Sequence, residues 1–407
     1  MNKIFKVIWS KSKQCYVVVS EMAKNKTGKK KIVVASILAA LAMQVGVVAD
    51  VSADESTLTL GGGKAANGMT NGVSIGNLAE SNSHQSIAIG YQALATSQYA
   101  NPAQPAVAIG AGAHATGRGG VSLGLIANSS VRGTAIGSAT QATGFGAFAG
   151  GTYAQATNAG DVAIGGASSD QFNNYAVASG GYSVAIGTAA KADGSAGVSI
   201  GYKTNAKTSN SLAVGSESQA TGEGAVAVGR KNTSTGASST VLGILSTANA
   251  TSATAVGMET TAKGENSLAV GHKSSASGRN GVAVGTNGTT AELGGVAVGQ
   301  AAKSNKFNSV AMGMNVTADG DNSVALGGNA SANSDGTIAI GSYGSTPTKA
   351  TGNRALAIGS ATTANGLESI AIGSRVNSTS QYSIAIGTRA NASAVKSVAI
   401  GLSLIHI

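Results

Sequence analysis

From Gly187 the sequence repeats every fourteen residues. Glycines close a short aliphatic motif at Gly187, Gly201, Gly215, Gly229, Gly243, Gly257, Gly271, Gly285, Gly299, Gly313, Gly327 and Gly341. Related glycines precede them at Gly76, Gly90, Gly110, Gly124, Gly137 and Gly165, and Gly359, Gly373, Gly387 and Gly401 end the series. A fixed short period of this kind requires a solenoid, in which each repeat is one turn of a coil stacked on its neighbours. It excludes a layered domain built on one deep core.

One repeat predicts the shape of one coil. In Ser183-Val184-Ala185-Ile186-Gly187 the apolar residues alternate with a small one, the pattern of a short half-buried strand. Glycine follows where the chain turns, because it accepts positive φ without a Cβ clash. Ala190 and Ala192 repeat the alternation, and Gly194 marks a second turn. Two short strands and two turns give a flattened all-β coil whose strands pair in parallel with those of the next coil. The expected orientation places Val184 and Ile186 in the interior and Ala185 outside. On that reading Ala185, Ala213, Ala227, Ala269, Ala283, Ala297, Ala311 and Ala325 form an external small-residue stripe suited to packing identical subunits about an axis.

Composition agrees with a thin solenoid. Aromatic residues are 4% of the 407 and charged residues 11%, too few for an aromatic-rich enzyme core, while 42% apolar content opposes disorder. Three prolines exclude collagen. The net charge of +10 is local: residues 1–53 hold nine of the 27 basic residues and two of the 17 acidic ones, leaving +3 for the rest. That distribution opposes nucleic-acid binding, which needs basic residues on the folded part.

The excess marks an export signal. Residues 24–31, KNKTGKKK, precede an apolar run from Ile32 to Val48 and small-residue cleavage patterns ending at Ala49 and Ala53. Upstream, Met1-Asn2-Lys3-Ile4, Val7-Ile8-Trp9-Ser10 and Val18-Val19-Ser20-Glu21-Met22-Ala23-Lys24 resemble the extended signal peptide of large autotransported proteins. Residues 1–24 are read as that extension, 24–53 as the signal proper and 54–72 as the mature N-terminal segment. Cys15 is the only cysteine, so cleavage leaves no thiol chemistry.

Together with that signal, SVAIG on a fourteen-residue period resembles the YadA-like head of trimeric autotransporter adhesins. The resemblance implies a left-handed parallel β-roll over residues 73–401, an obligate homotrimer, display on the outer membrane of a two-membrane bacterium, and attachment to extracellular-matrix proteins or cell surfaces. Family members also carry a stalk and a β-barrel anchor. These are expected beyond Gly401, since Leu402–Ile407 (LSLIHI) reads as sequencing-adapter sequence.

Three intervals are long: Gly90 to Gly110, Gly165 to Gly187 and Gly341 to Gly359. They predict insertions near 91–106, 166–183 and 342–355, and Tyr91, Tyr99, Phe172, Tyr175, Tyr182 and Tyr343 in them are the candidate ligand-binding residues. Residues 125–165, with intervals of 13, 13 and 15 through Gly150 of AFAG, are expected to be irregular. His84, His114, His272 and His406 lack partners at metal-ligand spacing, and no nucleophile elbow or phosphate loop is present. No catalytic, cofactor or metal site is expected. A surface or biofilm scaffold without a host ligand is the alternative. A β-helix acyltransferase is opposed by the period and the export signal.

Overall fold

The computed structural model describes residues 5–10, 15–20, 58–65, 71–97, 105–167, 174–341 and 346–401. Both proposed signal cleavage sites, Tyr99, Phe172, Tyr343 and the terminal hexapeptide lie outside the described residues. Phe5–Ser10 and Cys15–Ser20 form an antiparallel strand pair with Trp9 in register with Tyr16. From Leu58 onward the chain winds into one all-β solenoid with two parallel ladders. The long strands, such as Val184–Ile186 and Val198–Ile200, stack in one. The short strands, such as Lys191–Ala192 and Asn205–Ala206, stack in the other. Both ladders are open, since Leu58–Leu60 pairs only with the next long strand and Val398–Ile400 only with the preceding one. The 24 long strands, at about 4.8 Å per step, make a rod about 110 Å long.

The alternation is as expected, but its direction is reversed. Ala185, Ala213, Ala227, Ala269, Ala283, Ala297, Ala311 and Ala325 are fully buried inside a single protomer, so they form the core and no external stripe. The aliphatics on either side point outward: Ile200 is 37% exposed and Met312 44%. The reason is the narrowness of the coil. In one turn Ser199, Thr204, Ala206 and Ser211 fill the interior, and Ser199 Oγ donates across it to Thr204 Oγ1 at 2.8 Å. Ser74 and Ser81 join likewise at 2.7 Å, Ser304 and Ser309 at 2.6 Å. Ladders close enough for hydroxyls to meet across the core leave little room for isoleucine. Val241, Val316 and Val376 are the largest apolar side chains fully buried there.

Glycine keeps the coils in contact. Gly187, Gly201, Gly215, Gly229, Gly257, Gly271, Gly285, Gly299, Gly313, Gly327 and Gly341 have φ between +114° and +158°. A Cβ on any of them would run into the corresponding glycine of the next coil. Residues 125–165 are more regular than expected. The turn glycine of that region is Gly151 (φ +109°), which restores the interval of fourteen on both sides. Gly150 is instead a strand residue covered by the Phe148 ring.

Across the three long intervals neither ladder is broken. Leu94 still pairs with His114, Gln155 with Val177 and Ser331 with Lys349. Ala269→Leu is expected to overpack the interior and cost about 2–3 kcal/mol. Gly257→Ala should cost at least as much. Both losses, read from denaturant midpoints, should exceed that of Val270→Ala; the opposite order would mean that the aliphatics form the core.

Candidate functional site

A roll with its small residues inside has two unlike faces. On the long-strand face, two columns of side chains flank the buried alanines, Val162, Val184, Val198 and Leu212 in one and Ile164, Ile186, Ile200 and Val214 in the other. Ile109, Ile136 and Ile164 are each about 40% exposed. This is a largely aliphatic sheet facing out, with Thr134, Thr240 and Thr254 as polar breaks in the first column. At Gly150 the Phe148 ring covers the space that the glycine leaves.

The short-strand face is polar. Its outward column runs Lys191, Asn205, Gln219, Thr233, Thr247 and Thr261. A second column two residues on is tied from coil to coil by side chains. Ser179 Oγ donates to Asp193 at 2.9 Å, Ser277 Oγ to Glu292 at 2.7 Å and Thr351 Oγ1 to Asn365 at 2.6 Å.

Two corners join the faces, the first after each long strand and the second after each short strand. Each is built on a left-handed residue, recurring every seven positions at 189, 196, 203, 210 and 217. Most are not glycine and sit at φ between +50° and +65°. Their N–H groups extend the ladders around the turn: Lys203 N donates to Thr188 O at 3.0 Å and Asn210 N to Ser195 O at 2.9 Å. Asparagine, which tolerates this conformation, fills many of them, including Asn210, Asn266, Asn280, Asn308 and Asn322. This was the signal that the glycine pattern concealed. Corner charges pair one coil apart: Lys231 with Glu217 at 3.7 Å, Lys273 with Glu259 at 3.8 Å and Arg279 with Glu265 at 3.4 Å. Exposed pairs of this kind contribute at most about 1 kcal/mol each. Lys203 lies over the Tyr202 ring at 5.0 Å. Hydrogen bonding to that tyrosine, and secondarily its charge, holds the ammonium above the usual lysine value.

Of the candidate aromatic residues, the three among the described residues, Tyr91, Tyr175 and Tyr182, do not converge. Tyr91 is exposed on a first corner near the N-terminal end. Tyr175 is half-buried, with its ring 6.1 Å from Tyr153 and its hydroxyl accepting from Gln155 Nε2 at 3.2 Å. Tyr182 stands on a second corner, 73% exposed. Sequence reading passed over Phe145, Arg118 and Arg132, which share that edge with Tyr182. Among the described residues no three His, Cys, Asp or Glu side chains gather as a metal site would require.

Residues 1–49 match the extended signal peptide of the type V secretion system. Ten stretches between 69 and 403, together more than half of the chain, match the YadA head domain repeat. This chain belongs to the trimeric autotransporter adhesins. It is also similar to autotransporter adhesin EhaG of Escherichia coli O157:H7, 36% identical over 111 residues, which is 25% of this chain and 7% of that relative. The adhesin is therefore a secreted bacterial surface protein, from a family of adhesins rather than enzymes.

In this adhesin head the coil at the second insertion has its own fastening. Asp161, fully buried, accepts from Asn158 N at 2.8 Å and from Ser183 N at 3.0 Å and Oγ at 2.8 Å. Alanine occupies the same place in other coils, as Ala225 and Ala253, so Asp161→Ala fits sterically and only removes the bonds. About 1–3 kcal/mol of local stability should be lost. Hydrogen exchange should show the Asn158 and Ser183 amides opening about tenfold faster or more.

Proposed function

We propose that three copies of this roll pack with their long-strand faces toward a common axis, and that the resulting rod attaches the bacterium to extracellular-matrix proteins or cell surfaces. The observation that carries the reading is the contrast between the faces, aliphatic on the long strands and polar on the short ones. With alanine inside, the aliphatic columns have no cover within the protomer. Covering the exposed part of one such side chain is worth roughly 0.5–1.5 kcal/mol. Two per coil over 24 coils outweigh the 4–15 kcal/mol or so that association costs.

The polar faces and corners are then the outer surface. Repeated along a stiff rod and over three subunits, weak contacts gain strength through avidity. The export signal and the family support display at the outer membrane, and EhaG, by its name an autotransporter adhesin, supports the adhesive role.

The test is a paired measurement of mass and adherence. The double variant Val270→Glu, Val284→Glu should turn a trimer into monomers in sedimentation velocity and abolish adherence to collagen-, fibronectin- and laminin-coated surfaces. Thr261→Glu, on the polar face, should leave the mass unchanged. A monomeric parent chain, or a double variant that stays trimeric, would contradict the axial assignment.

A further inference from the structure

Between Glu80 and Asp161 the sequence holds no acidic residue, and its only lysine or arginine residues are Arg118 and Arg132. The winding brings these two together on the second corner, where Arg132 N donates to Arg118 O at 2.9 Å. The same edge continues through the next three coils. Gly146 N donates to Val131 O at 3.0 Å, Gly160 N to Phe145 O at 2.9 Å and Tyr182 N to Ala159 O at 2.7 Å. Arg118, Arg132, Phe145, Gly160 and Tyr182 therefore form one ridge over five successive coils, about 19 Å long at the usual strand spacing.

The side chains on this ridge are set out for a ligand. The Arg132 guanidinium lies 5.4 Å from the centre of the Phe145 ring, a cation–π contact that holds the charge beside an aromatic face. Phe145 is 53% exposed. The Tyr182 ring lies back along the ridge over Gly160, where a Cβ would meet it at 2.8 Å. The Nε of Arg118 is turned away from solvent and has no hydrogen-bond partner among the described residues. Asp161 does not compete for the arginines, because it is buried and its carboxylate is taken by Asn158 and Ser183.

We infer that this ridge binds a carboxylate-bearing saccharide chain. The fork of a guanidinium matches a carboxylate, and the apolar face of a pyranose ring stacks on an aromatic ring, here Phe145 and Tyr182. A row one side chain wide cannot bury the area that a stable protein partner needs, whereas an extended polymer can follow it. Single-stranded nucleic acid also uses arginine and aromatic rings, but it carries a charge on every nucleotide against two arginines in five coils. The inference deepens the adhesin reading and rests on it.

The purified chain is titrated with oligosaccharides of hyaluronan (a host polymer) and alginate (a bacterial one), with neutral chitooligosaccharide and with poly-dT. At least one uronate polymer should bind, and chitooligosaccharide and poly-dT at least fivefold more weakly. Arg132→Asn, which keeps a residue tolerant of positive φ, and Phe145→Ala should each weaken uronate binding fivefold or more without changing the mass in sedimentation. No uronate binding, equal binding by the variants, preference for poly-dT or the neutral sugar, or a drop in mass for Phe145→Ala would each overturn the inference. The same preparation is scored on matrix-coated surfaces. Adherence without saccharide binding sinks the ridge alone, and loss of both sinks the adhesin reading as well.

Discussion

The structure depends on how closely its two ladders approach. Alanine, serine and threonine fill the space between them, and hydroxyls on opposite strands bond directly, as between Ser199 and Thr204. That spacing decides where every larger side chain goes. Valine and isoleucine are kept out of the interior by size rather than polarity, so the most hydrophobic residues of the chain end on its surface. A roll of this kind is complete in its backbone ladders and incomplete in its apolar contacts. Its assembly follows from that imbalance.

Polar groups inside so thin a core are costly when left without a partner, and the largest fully buried ones, Asn232 and Asp161 among them, have theirs. Buried Asn232 donates to Val228 O and Gly243 O and accepts from Ser246 N. Buried Asp161 accepts three bonds beside the longest insertion. Serine serves the same end with less volume in several coils, as at Ser199, Ser234 and Ser304.

Much of this was readable from residue spacing. The fourteen-residue interval gives the coil length, and the alternation in SVAIG gives a strand whose neighbours point to opposite sides. What spacing does not contain is which side is the interior. Hydrophobicity ranks isoleucine above alanine, and the ranking fails here because the gap between the ladders is set by the corners. The corners were hidden for a related reason. Glycine announces the mirror-β turn, but the left-handed residues beside it are lysine, glutamate, alanine and arginine as well as asparagine. Gly150 was mistaken for a turn residue because glycine also substitutes for an aliphatic under Phe148. The edge shared by Arg118, Arg132, Phe145 and Tyr182 depends on coils of thirteen, fourteen and twenty-two residues, so no constant interval reveals it.

Every strand of the rod pairs only with the strands one coil before and one coil after it. No contact in the ladders waits for a distant part of the chain, and the loop closed at each step is short. A polypeptide emerging through a narrow passage as an extended thread can therefore wind from whichever end arrives first, each finished turn serving as the template for its successor.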